Sequence, residues 1–223
     1  MISPIEGIGS RHNISMSRLL PLFPLQLVAF PGSAIPLHVF EERYKEMVGQ
    51  AEAKGTEFGI VLAKDGGIVN AGCTVIVEKV LERYPDGRFD VVTRGKRRFA
   101  LLSIDQEKEY LRGEVDFFDD DDAEGAPQEL RDNALGACRK VRAAHDEEAE
   151  EEFDSRHPLL SFQLARSIRD LDFQNMMLRS RSEAERLRQF IEFAEQYIPR
   201  VEYTAKMKRL APRNGFGHKP ASL

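Results

Sequence analysis

The side chains able to do chemistry in this chain are few and scattered. Ser33, in Gly32-Ser33-Ala34, sits where a nucleophile could, but Pro31 and Pro36 flank it and the GxSxG context that lifts a serine onto a sharp turn is missing. A turn between strands is expected there. His38 lies between Leu37 and Val39 with no acidic or thiol partner evident, so it reads as a hydrogen-bonded structural histidine. His145-Asp146-Glu147 falls on a helix-like stretch whose consecutive residues point in different directions, and it reads as surface. The Asp119–Asp122 run lacks the alternating ligands, central glycine and distal glutamate of a calcium loop, which leaves a solvated linker. Cys73 and Cys138 have no CxxC or Cys/His spacing, which argues against zinc or a disulfide framework. No phosphate-cradling GxxxxGK[ST] or GxGxxG loop is present. The expectation is a protein with no catalytic residues, no cofactor and no metal.

Two features could bind rather than react. Arg94, Lys96, Arg97 and Arg98 form the one dense basic cluster of the first half, and an RNA phosphate contact is the alternative they raise. In a strand, Arg97 and Arg98 would face opposite sides and dilute any patch. The formal charge of −5 also runs against phosphate-backbone binding, so nucleic acid is not the expected partner. Met176 and Met177 could form an adaptable apolar contact, although methionine more often fills core gaps.

The elements that must position these groups divide into two halves. In 223 residues with 42% hydrophobic, 31% charged and 9% aromatic residues there is enough apolar material for a real core. Residues 1–17 read as a loosely held arm. Short apolar runs follow at Leu19–Phe23, Gln26–Phe30 and Ile35–Leu37, cut by prolines as edge or bent strands are. A helix is expected between Phe40 and Ala53, where Tyr44, Met47, Val48 and Ala51 share a face and Gly55 can end it. Phe58–Ala63 reads as a buried strand, and Thr74–Tyr84 with Arg88–Thr93 as a hairpin about Pro85-Asp86-Gly87. Phe99–Ile104 and Leu111–Phe117 give two more strands. Several strands on short turns suggest a closed or nearly closed barrel over residues 18–118.

An acidic, turn-rich break at 119–127 marks the domain boundary, and strand signals stop there. One helix carries Leu130, Ala134, Cys138, Val141 and Ala144 and runs as far as Glu150. A second opens at Pro158 with Leu160, Leu164, Ile168 and Leu171 on its face. Ser182-Glu183-Ala184-Glu185 is a capping box, so a third starts there and ends or turns at Pro199. The helical part spans 128–210, and 211–223 reads as a disordered tail. Arg18 before Leu19–Phe30 imitates a signal peptide, but Pro21 and Pro24 interrupt the run, and a cytoplasmic protein without a membrane span is expected.

Several of these segments also carry a resemblance. Leu20-Pro21-Leu22-Phe23-Pro24-Leu25, Phe30-Pro31-Gly32, Ile35-Pro36-Leu37 and Phe40-Glu41-Glu42-Arg43-Tyr44 resemble the opening of the N-terminal, substrate-binding domain of Lon proteases. The likeness continues through Phe58-Gly59-Ile60-Val61, Gly72-Cys73-Thr74-Val75, Pro85-Asp86-Gly87, Gly95-Lys96-Arg97-Arg98-Phe99 and Tyr110-Leu111. The resemblance implies an α+β fold: a PUA-like β-barrel with one helix, followed by an all-α bundle. It also implies recognition of unfolded or tagged protein substrates. The ATPase and peptidase domains of that family have no counterpart here, so the reading is a stand-alone, non-catalytic module. Apolar protein segments or a partner protein would lie in a groove between barrel and helices, with Phe117, Phe118, Met176 and Met177 as candidate lining residues.

Overall fold

The computed structural model describes residues 19–122, 125–146 and 153–210. The arm expected at 1–17, the tail expected at 211–223 and the helix end expected at Glu150 lie outside the described residues.

The short apolar runs form six strands, β1 (Leu20–Leu25), β2 (Ala34–Val39), β3 (Phe58–Lys64), β4 (Gly67–Arg83), β5 (Phe89–Asp105) and β6 (Arg112–Phe118). Helix α1 (Glu42–Lys54) interrupts them after β2. It buries Tyr44, Met47, Val48 and Ala51, the face its periodicity predicts, and stops at Gly55, whose φ of 59° suits a residue without a Cβ. The sheet order is β2-β5-β4-β3-β1-β6, and β6 also pairs with β5, which closes the sheet. Only β1 and β3 run parallel among the strand pairs.

Strand β5 makes the closure possible. Its first part pairs with β2 through Phe89–Arg94 and its second with β6 through Arg98–Asp105, while β4 holds the opposite edge. Phe99–Ile104, expected as a separate strand, is the continuation of this one. The arginines that break its apolar alternation face outward: Arg94 meets Glu78 at 2.8 Å and Arg97 meets Glu57 at 3.0 Å. Gly95 keeps the ladder passable, because a Cβ there would collide with the Phe30 carbonyl. Gln26–Phe30, expected as a strand, has no ladder partner and leads irregularly into the turn before β2.

Leu22, Val61 and Phe99, all fully buried, fill the inside of the barrel. The wall next to them must be thin: a Cβ on Gly59 would stand 2.8 Å from Phe99 and 2.9 Å from Leu22. A larger core covers the outer face. There Phe23 stacks on Tyr44 of α1 at 4.1 Å, and Phe30 stacks on Phe162 at 5.3 Å, which joins the barrel to the helices.

Those helices are α2 (Gln128–Ala144), α3 (Leu160–Ala165), α4 (Leu171–Arg179) and α5 (Glu183–Leu210). The single helix expected after Pro158 is two, because Asp170 accepts the Phe173 N–H at 2.9 Å and starts α4 afresh. At the head of α5 the Ser182 hydroxyl accepts the Glu185 N–H at 3.1 Å, one half of the expected capping box, while the Glu185 carboxylate turns to Arg188 and Gln189 instead of back to Ser182. Pro199 does not end α5. It is solvent-exposed, as is Glu195 one turn earlier, so the carbonyl that loses its donor can turn to water. Among the described residues no helix is long and apolar enough to cross a membrane.

Candidate functional site

The junction between barrel and helices is filled, contrary to the groove expected there. Arg186 of α5 is fully buried and commits its whole guanidinium. Its Nε donates to Ser161 Oγ at 2.7 Å. Its Nη1 donates to Asp120 and to the Ser180 carbonyl, and its Nη2 to Asp120 and Glu183, all between 2.6 and 2.9 Å. Arg98 of β5, 4% exposed, donates to Asp120 at 2.6 Å and to the Leu178 and Ser180 carbonyls. Both guanidiniums lie over the Phe162 ring. Burial pushes the Asp120 carboxyl up, and the hydrogen bonds and charges of Arg186 and Arg98 overcome that and hold it below the usual carboxylate range. Burial and neighbouring Arg186 lower Arg98, whereas Arg186 is raised because two carboxylates outweigh its burial. The seam between α4 and the barrel near Leu62 and Leu178 has no room for a water.

In the acidic run Asp119, Asp121 and Asp122 are exposed, as in a solvated linker, and Asp120 is the one drawn into the junction. Asp120 and Asp122 tie β6 to the head of α5, the latter by accepting the Ser182 hydroxyl at 2.6 Å. The candidate lining residues do not come together around a groove either. Met177 is fully buried in the helical core, and Met176 of the same helix is 40% exposed. Phe118 packs beneath the guanidiniums of Arg98 and Arg181. Phe117 is 40% exposed, with the Arg97 guanidinium 3.9 Å from its ring centre.

Ser33 is a turn residue, as expected. Its hydroxyl donates to the Phe30 carbonyl at 2.6 Å and accepts the Phe30 N–H at 3.2 Å, which leaves it no free role as a nucleophile. His38 does have an acidic partner: the β2–β5 register sets it opposite Asp90, and Nδ1 lies 2.5 Å from the carboxylate. Tyr84 donates to the same carboxylate at 2.8 Å. The basic cluster is largely neutralised, since Arg94, Arg97 and Arg98 each meet a carboxylate and Lys96 alone stands exposed without one. No group of three His, Cys, Asp or Glu able to hold a metal occurs among the described residues.

Open space lies on the barrel and also between α2 and the second half of α5, where about 780 Å³ is bordered by Lys140, Ala144, Ile198 and Lys206. A cavity of about 930 Å³ opens between the last turns of α1, the start of β1 and the end of β6. Leu20, Met47, Ala51 and Phe117 give it apolar walls, and Lys54, Arg97, Lys108 and Arg112 bring charge to them. A second depression of about 700 Å³ lies around the first turn of α1, where Phe40 is 58% and Ile104 47% exposed. Sequence reasoning missed both. Their walls come from segments far apart in the chain, and the local signal for the first was the apolar Leu19-Leu20-Pro21.

Comparison with known proteins follows this geometry. The family described as the ATP-dependent protease La (LON) substrate-binding domain matches residues 19–191. A Lon N-terminal domain protein from Xanthomonas campestris shares the fold with a TM-score of 0.62 at 27% identity, over 78% of this chain and 98% of that one. The N-terminal domain of a Mycobacterium avium complex Lon protease superposes with a TM-score of 0.61 at 17% identity, over 81% of this chain and all of that one, a likeness of fold. Among curated relatives, the Lon protease of Porphyromonas gingivalis is 29% identical over 114 residues, which is 47% of this chain and 13% of that protein. That of Parabacteroides distasonis is 29% identical over 110 residues, again 13% of its length.

Proposed function

The chain belongs to the LON substrate-binding domain family, and from that premise we propose that it is a non-catalytic module that holds apolar protein segments or a partner protein, as an adaptor or regulator in cytoplasmic protein quality control. The observation that carries this reading is where the apolar surface lies. Phe40, Ile104 and Phe117, each at least 40% exposed, line cavities on the barrel large enough for side chains of a bound segment. The contact surface thus moves from the filled junction to the barrel, and of the four lining residues Phe117 is the one retained. RNA is the second reading, and the engagement of Arg94, Arg97 and Arg98 by carboxylates weighs against it.

The test is retention of a chemically unfolded, carboxymethylated protein on the immobilised chain, against its native form. Selective retention that falls severalfold in Phe117→Ser or Phe40→Ser supports the proposal. Equal loss of both forms, or retention untouched by either substitution, removes it.

A further inference from the structure

The geometry points to the α1–β6 cavity as a receptor for the C-terminal carboxylate of a bound protein segment, with the apolar side chains of its last residues against Leu20, Met47 and Phe117. This rests on the protein-binding reading above and names the part of the partner that is read.

Lys54, Arg97, Lys108 and Arg112 line the cavity, and the carboxylates that engage them are Glu57 on Arg97 and Asp105 and Glu107 on Arg112. Four cations face three anions, on a chain whose overall charge is −5. The surplus sits on two particular groups. Among the described residues Lys54 is exposed with no carboxylate partner, and Lys108 donates only to the Tyr110 hydroxyl, at 3.0 Å. Arg97 donates to Glu57 through Nε and Nη2, and among the described residues Nη1 has no acceptor. These donors stand beside the apolar side chains of Met47, Ala51 and Phe117, so an anion and an apolar group can be met together.

One uncompensated positive charge fits a singly charged group better than a phosphate dianion. The last carbonyls of α1, which ends at Lys54 and Gly55 on the cavity rim, oppose any anion there and oppose a dianion twice as strongly as a carboxylate. The barrel beneath is filled by Leu22, Val61 and Phe99, so a segment cannot thread onward through it. A cavity of mixed apolar and charged walls, with one net positive charge and no passage through its floor, suits the end of a chain.

Fluorescence anisotropy of the full chain with dye-labelled Gly-Ser-Gly-Leu-Phe tests this, comparing the free C-terminal acid with its amide. The acid is expected to bind about tenfold tighter. That preference disappears in Lys54→Gln/Lys108→Gln and survives in Lys54→Arg/Lys108→Arg, while binding of the amide stays unchanged in all three proteins. Both lysines are exposed, and unchanged thermal unfolding of each variant verifies the fold. Equal binding of acid and amide overturns the inference and leaves an internal segment as the occupant. Displacement by inorganic phosphate at concentrations where acetate is inert also overturns it, as does self-association abolished by the double Gln variant. Loss of both peptides overturns it while retention of the unfolded protein persists. Loss of all three ligands sinks the protein-binding reading itself.

Discussion

Replacing Asp120 by asparagine removes one charge and almost no volume from the junction. In the parent, one carboxylate, 20% exposed, receives three hydrogen bonds of 2.6 to 2.7 Å from two guanidiniums that are 5% and 0% exposed. In Asp120→Asn Arg186 keeps Glu183, Arg98 keeps only the Leu178 and Ser180 carbonyls, and the new amide turns a donor toward donors. Breaking a buried ion pair on one side costs about 3–5 kcal/mol, and the partial exposure of Asp120 places this variant near about 3 kcal/mol. With a urea dependence of roughly 2 kcal/mol per molar for a chain of this size, the unfolding midpoint drops by about 1.5 M. The pH dependence provides an independent check. The carboxyl is held below its ordinary value by Arg186 and Arg98, so the unfolded chain binds the proton more readily than the folded one. Its contribution is therefore complete above the unfolded value and is lost as pH falls through the folded one, and parent and variant converge in acid. A midpoint within 0.3 M of the parent at neutral pH, or a difference that stays constant into acid, would refute the reasoning.

Other outcomes follow from the same geometry. Gly59→Ala brings a methyl to 2.8 Å from Phe99 and destabilises the fold by about 1–3 kcal/mol in thermal unfolding, since the filled barrel has nowhere to yield. Burial pushes the Cys73 thiol up to about 12, so native protein reacts with a thiol reagent at Cys73 only after denaturant is added. The hydrogen bond to Asp90 pushes the Tyr84 hydroxyl up to about 12, and in Asp90→Asn its phenolate absorbance develops at lower pH. Phe162→Ala removes the ring beneath both guanidiniums and against Phe30, with a loss of about 3–5 kcal/mol in urea unfolding.

Legibility in the sequence followed the range of the interactions. The β4–β5 turn at Pro85-Asp86-Gly87, the stop of α1 at Gly55 and the start of α5 at Ser182 were readable because each depends on residues within one turn of chain. The continuity of β5 was not, since Arg94 and Arg97 break its alternation and only Glu78 and Glu57, 16 and 40 residues earlier, show why they face outward. The break between α3 and α4 had a local signal in Asp170, a capping residue inside an apolar periodicity. The junction was misread for the same reason as β5: Asp120 meets Arg186 across 66 residues, and a run of aspartates in sequence resembles solvated chain until its partners are known. His38 likewise found Asp90 only through strand register, 52 residues away.

Helix α5 has 28 residues, about 42 Å of rod at the rise of an α-helix, and its first turn is pinned by Glu183 and Arg186. Leu187, Phe190 and Ala194 then seat it in the helical core, and the Tyr197 hydroxyl accepts the Arg169 N–H at 3.0 Å, so the rod is anchored along its first half and the turns beyond Pro199 carry the exposed Tyr203 and Met207 outward.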